Sequence, residues 1–343
     1  MEKIDIKTLT LDELEKETLN MGEAKFRAKQ VFSWLHQKNV SSFDEMTNIS
    51  KEFREKLSNK FKMTEIEIVD KLVSSVDKTT KYLFKLENNY IIESVLMKYS
   101  YGNAVCISSQ VGCRMGCKFC ASTLDGLERS LKVSEMVSQI YEIQKDSKEK
   151  IRSIVLMGSG EPFDNFDNFL KFIEIINHKD GLNIGQRHIT VSTCGIVPKI
   201  YELADKKMQI NLALSLHAPT DEDRKNIMPI ARKYTVKEIV DACKYFANTT
   251  KRRVTYEYAL IAGVNDREQD AKEIIKLLKG SLAHINLIPV NDVKERNYIK
   301  SSKEQIKKFA DTLMKAGIET TVRRELGSDI NAACGQLRKS YKY

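Results

Sequence analysis

Apolar residues over the first 65 positions recur at three- and four-residue spacing, and the only glycine among them is Gly22. This is a helical pattern. Leu9-Thr10-Leu11-Asp12 opens one helix with Thr or Asp as its cap. A second is predicted over 24–37, with Phe26, Val31, Phe32, Trp34 and Leu35 as its apolar set. A third follows Ser50 and carries Phe53 and Leu57. The pattern then turns to strands at 66–69, 81–85 and 91–97, with Glu87-Asn88-Asn89 as a turn. That predicts a small antiparallel sheet. From 104 onward strands and helices alternate. Strands are predicted at 104–108, 153–157, 188–192, 210–216, 253–260, 285–289 and 320–323, and helices at 133–144, 166–177, 236–247, 269–279 and 303–316. Such alternation predicts a parallel sheet with helices outside. Six or seven units suit a partial or full TIM-like (β/α) barrel. The expected organisation is an α/β chain in three parts: a helical accessory domain at 1–65, a β-rich connector at 66–103, and a barrel at 104–343.

Composition narrows the class. At 343 residues with 42% apolar residues, the chain can bury a sizeable core. No run approaches membrane-spanning length, and Met1-Glu2-Lys3-Ile4-Asp5 lacks a signal-peptide core, so a cytoplasmic protein is expected. Seven cysteines in a chain this long do not make a disulfide framework; metal or catalytic use fits better. Fifty-six Lys plus Arg against 47 Asp plus Glu leave a net charge of +9, compatible with a polyanionic partner. Basic clusters stand at Lys251-Arg252-Arg253, at Arg323-Arg324, and in the acid-free stretch 331–343 with Arg338, Lys339 and Lys342. Each is equally readable as a solvated face.

The chemistry concentrates in Cys113-Arg-Met-Gly-Cys117-Lys-Phe-Cys120. Structural zinc sites and most [4Fe–4S] clusters close with four ligands. Three thiolates on a cubane leave one iron open to a small molecule. A zinc knuckle with a distant fourth ligand, or buried unliganded cysteines, would also give this spacing. Phe119, Gly112 and Gly116 suit a loop wrapped round a bulky, partly apolar group. The spacing resembles that of the radical S-adenosylmethionine (SAM) superfamily, which implies a [4Fe–4S] cluster with SAM on the open iron. In a parallel barrel, functional groups gather where strands end. Gly160, Glu161, Ser192, Ser215, His217 and Asn291 all fall at predicted strand ends and could meet the ammonium, carboxylate, ribose and adenine of SAM.

Longer segments carry a closer resemblance. Residues 327–337 (Gly-Ser-Asp-Ile-Asn-Ala-Ala-Cys-Gly-Gln-Leu), 106–113, 158–162, Ser215-Leu216-His217, Met228-Pro229-Ile230 and Phe26-Arg27-Ala28-Lys29-Gln30 resemble the RlmN/Cfr family of radical SAM RNA methyltransferases. Gly160-Glu161-Pro162 favours the RlmN branch. The resemblance implies methylation of adenosine C2 in the peptidyl-transferase centre of 23S rRNA and next to certain tRNA anticodons, with two SAM molecules per turnover. It implies Cys113, Cys117 and Cys120 as cluster ligands, and Gly160, Glu161, Ser192, Ser215, Leu216, His217 and Asn291 around SAM. Cys334 would carry the methyl group and then a transient link to RNA. Cys106 would resolve that link through a transient disulfide, and Glu93 would accept the C2 proton. An external one-electron donor such as flavodoxin or ferredoxin and a monomeric state are further expectations. Rival readings are C8 methylation of the Cfr kind, a radical SAM enzyme of another substrate class, and a non-enzymatic Fe–S or zinc RNA-binding protein. Cys194 and Cys243 read as small buried apolar residues.

Overall fold

The computed structural model describes residues 3–291 and 297–337. The tail residues Arg338, Lys339 and Lys342 lie outside the described residues. The amino-terminal part comprises β1 (Ile4–Asp5), α1 (Leu11–Asn20), α2 (Phe26–His36), α3 (Lys51–Lys60) and β2 (Phe61–Lys62), with β1 and β2 paired in parallel. Helix α1 starts where a reciprocal Thr10–Glu13 capping box satisfies its first amides. Its neighbours bury Phe32, Leu35, Phe53 and Leu57.

Next come β3 (Glu67–Val73), β4 (Thr80–Lys85), β5 (Ile91–Tyr99) and β6 (Gly102–Cys106). A short ribbon, β7 (Gln110–Gly112) and β8 (Leu127–Ser130), brackets the cysteine loop. The alternating part follows as α4 (Val133–Ser147), β9 (Ile151–Leu156), α5 (Phe166–Asn177), β10 (Ile189–Thr193), α6 (Val197–Asp205), β11 (Asn211–Ser215), α7 (Asp221–Ile227), α8 (Val236–Thr250), β12 (Val254–Leu260), α9 (Glu268–Leu278), β13 (Ala283–Pro289), α10 (Lys303–Lys315) and β14 (Glu319–Val322). The ribbon and the short helices α6 and α7 are absent from the sequence pattern, because three to nine residues give little periodic signal.

One sheet of ten strands organises the molecule, in the order β14-β13-β12-β11-β10-β9-β6-β5-β4-β3. The seven strands from β6 to β14 run parallel, and β5, β4 and β3 add antiparallel. Sequential parallel neighbours with helical crossovers make this an open, partial barrel. The expected small antiparallel sheet is not separate. It is the edge of the main sheet, because Val95 to Tyr99 pair with Cys106 to Gly102. Strands β11 and β12 are buried almost throughout, as strands covered on both faces are.

A single apolar cluster runs from Ile6, Phe32 and Phe53 through Tyr141 and Phe172 to Leu214 and Phe309. The amino-terminal helices therefore share a core with the barrel. His36 on α2 seals that junction, with Nδ1 2.7 Å from the Tyr141 hydroxyl on α4. No helix among the described residues is long and apolar enough to cross a membrane.

Candidate active site

The carboxyl ends of the parallel strands surround a cavity of about 150 Å³. Its walls include Cys113, Cys117 and Cys120 from the loop after β7, Glu161 after β9, His217 after β11 and Cys334 from the carboxyl-terminal segment. Of the residues expected around SAM, Gly160, Glu161, Ser192, Ser215, His217 and Asn291 line this space. Leu216 does not: its side chain is wholly buried in the core between two cavity residues.

The cysteine loop is shaped by close packing. A Cβ on Gly112 would fall 2.0 Å from the Gly126 carbonyl oxygen, and one on Gly116 3.3 Å from Pro229. The Met228-Pro229-Ile230 segment thus backs the loop, and Lys118 N donates to the Ile227 carbonyl at 2.9 Å. Cys117, Cys194, Ala218, Ile227 and Met228 form an apolar shell, with Phe119 and Cys120 against it. Burial pushes the Cys113 thiol up to about 12 and the Cys117 thiol well up. Metal would displace these protons, since it binds thiolates. Among the described residues, no three His, Cys, Asp or Glu side chains gather tightly enough to hold a single metal ion. Two buried thiols, Cys113 and Cys117, and the half-buried Cys120 share one apolar-backed wall, which suits a bulky polynuclear group.

Glu161 is held by backbone amides. Oε1 accepts from Phe163 N at 3.0 Å and Oε2 from Cys194 N at 2.8 Å. Burial nevertheless raises it above the ordinary carboxylate range. An incoming ammonium would offset that desolvation. Gly160, at φ +107°, brings the loop so close to β7 that a Cβ would lie 2.6 Å from Gln110 Cβ. His217 Nδ1 accepts from Ala259 N at 2.8 Å, and burial lowers its pKa to about 3. The ring is neutral, so its proton sits on Nε2. The hydroxyls of Ser192 and Ser215 lie 3.4 Å apart on adjacent strand ends. Asn291 Nδ2 donates to the Cys334 carbonyl at 2.9 Å, which ties the cavity rim to that residue.

Cys334 also lines a second, smaller cavity with Val95, Met97 and Arg323. Cys106 lies in the apolar cluster at its side, with Val95, Met97, Ala104, Ala332 and Leu337. Burial pushes the Cys106 thiol up to about 12; Cys334 adds to the rise and Arg323 opposes it. All seven cysteines are free. Glu93 does not line the main cavity. A glutamate on a strand usually faces solvent, but this one is only 2% exposed. Val95 pairs with Cys106, so Glu93, two residues earlier, points to the same face as Cys106.

Several residues of this site carry no local sequence signal, or a misleading one. Arg224 is wholly buried and clamps two loops, donating to the carbonyls of Leu216 (3.0 Å), Cys194 (2.6 Å) and Ser215 (3.1 Å). Cys194 is buried, as expected, but it lines the cavity and its amide orients Glu161. Glu257 interrupts the apolar strand β12 and also faces the cavity; that lone carboxylate is a readable signal. Arg323 reads as surface charge, yet its Nη1 reaches Met157 Sδ at 3.7 Å. Lys251, Arg252 and Arg253 precede β12, at the opposite end of the sheet from the cavity, and Arg253 pairs with Glu319. Cys243 is a buried core residue of α8.

Comparison with known proteins decides the family. Residues 107–278 match the model of the radical SAM superfamily, and residues 4–63 match that of the ribosomal RNA large subunit methyltransferase N-terminal domain. A probable dual-specificity RNA methyltransferase RlmN of Clostridium novyi is 58% identical, with 98% of each chain covered. Another, of Alkaliphilus oremlandii, is 59% identical over 99% of each chain. The chain belongs to the RlmN family. The crystal structure of a radical SAM methyltransferase from Sphaerobacter thermophilus superposes with a TM-score of 0.93 at 40% identity, covering 98% of this chain and all of that one. As an RlmN-family radical SAM enzyme, the chain works with a [4Fe–4S] cluster and SAM.

Proposed function

We infer that this protein methylates C2 of adenosine in 23S rRNA and in tRNA, using Cys334 as a methyl carrier and Cys106 as the thiol that frees the product. The observation that supports this most is the position of Cys334. It lines the cavity walled by the three loop cysteines and also borders the face that carries Cys106. A radical SAM enzyme acting on an unrelated substrate has no use for that second pair of thiols.

Adenine C2 is an electron-poor carbon and a poor nucleophile toward a methyl sulfonium. When bound, the cluster held by Cys113, Cys117 and Cys120 supplies one-electron chemistry with SAM that makes a carbon–hydrogen bond reactive. The remaining tasks fall to the chain. Glu161 binds the SAM ammonium, and neutral His217 offers its Nε2–H. The Cys334 thiolate accepts a methyl group, as thiolates do readily. Once that carbon is bonded to adenine, Glu93 takes the C2 proton. Cys106 sulfur then attacks Cys334 sulfur; the carbon–sulfur bond breaks with its electron pair going to the carbon, which takes a proton to give methylated RNA and leaves a disulfide for an external reductant. The localisation we propose is the cytoplasm, with RNA and a one-electron donor as partners.

Denaturing gels of reconstituted protein with labelled RNA and SAM test the scheme. Cys106→Ala should trap a nuclease-sensitive protein–RNA band, and Cys334→Ala should give none. Product from the intact enzyme should carry its methyl on C2, not C8, by mass spectrometry of digested RNA. Full turnover by Cys334→Ala would sink the reading.

A further inference from the structure

Lys81 on β4 is an unusual lysine. Its side chain is 8% exposed, and the pattern along β4 is buried on both faces. Lysine is almost never buried unless paired. Its ammonium lies 3.3 Å from Glu93 Oε1 on β5, whose side chain is 2% exposed. It also donates to the Asn331 carbonyl at 3.2 Å, three residues before Cys334. The sheet register explains the first contact. Lys81 is opposite Val95, so Glu93 is its diagonal neighbour on the same face. The second contact spans 250 residues of sequence.

Glu93 is otherwise poorly placed to act as a base. Burial of a carboxyl disfavours its charged form. A neutral carboxyl accepts no proton. Among the described residues, other titratable or charged groups around this face are Cys106 on β6, Tyr99 farther along β5, Arg323, Arg324 and Glu325 after β14, and Cys334 on the returning segment. Arg323 is a further cation, and the groups it faces are Cys334, Glu257, Cys106 and Tyr99.

We propose that Lys81 is a positioning residue for proton removal: its ammonium favours the ionised Glu93 carboxylate and fixes it relative to the segment that carries Cys334. This deepens the reading given above and rests on Glu93 being the proton acceptor. The step it serves is a proton transfer alone. The hydrogen on C2 moves as a proton to a Glu93 oxygen, and its bonding pair stays on the adenine. Methylation of Cys334 precedes this step and needs neither Glu93 nor Lys81.

The test uses full-length reconstituted enzyme and compares Lys81→Gln, Lys81→Met, Lys81→Arg and Glu93→Gln between pH 6 and 9. Cys334 methylation is read by mass spectrometry of the protein, and product release by decay of the protein–RNA band. Glutamine keeps a donor for the Asn331 carbonyl but has no charge, so it separates charge from anchoring. Lys81→Gln and Lys81→Met should methylate Cys334 normally and hold the adduct at pH 7, about tenfold longer for every whole pH step by which Glu93 becomes a weaker acid. They should release it as pH rises, whereas Glu93→Gln should hold it throughout. Lys81→Arg should restore release at neutral pH. A wild-type pH profile in Lys81→Gln, with Glu93→Gln still trapping the adduct, would overturn the role of Lys81 alone. Normal release by Glu93→Gln would overturn the proton-acceptor reading and Lys81 with it. Should Lys81→Met fail to fold, Lys81→Gln decides.

Discussion

Cys106 poses a problem of acidity. Its thiol is pushed up to about 12, chiefly by burial, yet it must attack as a thiolate. Arg323 is the cation opposing that rise. Replacing it should lift Cys106 further, so less thiolate is present at any given pH. Arg323→Gln is therefore expected to slow decay of the protein–RNA band at pH 7, about tenfold for every whole pH step by which the thiol weakens as an acid, and to move the decay profile to higher pH. Unlike the Lys81 variants, its defect should persist when Glu93 is ionised. An unchanged profile would show that Arg323 serves packing only. Residues of this kind are hard to read from sequence. Cys113, Cys117 and Cys120 declare themselves because their partners lie within eight positions. Arg323, Lys81 and Arg224 act on groups distant in sequence or on backbone carbonyls, and no local pattern records such partners. The close approach of Gly158 and Gly160 to Ile107 and Gln110 is of the same kind: their partners lie about fifty residues away in sequence.

At the level of elements, long periodic stretches are easy to read and short ones are not. The strands of the parallel sheet and the helices α4, α5, α8, α9 and α10 follow their hydrophobic patterns closely. The ribbon of β7 and β8 is set by the crowding of Gly112 against Gly126, a tertiary effect. The contact between α2 and α4 makes its own prediction. Burial lowers the His36 pKa to about 3, and among the described residues its Nε2 has no hydrogen-bond partner. The unfolded chain binds a proton near pH 6.5 and the folded one does not. Between those values the unfolded state holds more protons, so stability is full above pH 6.5 and is lost as pH falls toward 3. His36→Gln is expected to have a lower melting temperature at pH 7.5 but a shallower fall between pH 6.5 and 4.5. Equal slopes in wild type and variant would place the acid sensitivity elsewhere, with His217 as the next candidate.

For the whole molecule, the amino-terminal helices and the barrel share one apolar core. The ion pair between Lys171 on α5 and Glu13 on α1 lies at the same boundary. Removing the first 65 residues should expose apolar faces of α4 and α5, and the shortened chain is expected to bind hydrophobic dyes or aggregate. The intact protein should melt in a single calorimetric transition. Two well-separated transitions, or a soluble and well-folded fragment, would show that the shared core counts for little.

The segment after β14 crosses back to the far edge of the sheet. There Gly327 N donates to Asp77 at 2.9 Å and Ser75 N to Asp329 at 3.1 Å, both at the turn between β3 and β4. Its other end is bonded to the residues that follow Cys120: Ala121 N donates to the Gly335 carbonyl at 2.7 Å, and Ser122 Oγ to the Leu337 carbonyl at 2.6 Å. Cys334 hangs between these two fastenings, so the two reactive centres are mechanically joined. Linkage is reciprocal. If filling the cysteine loop steadies Ala121 and Ser122, it also favours the docked segment. If RNA draws Cys334 away, the same bonds slacken the loop that holds the cluster. The enzyme's readiness for chemistry and its grip on its own cofactor are then one equilibrium seen from two ends.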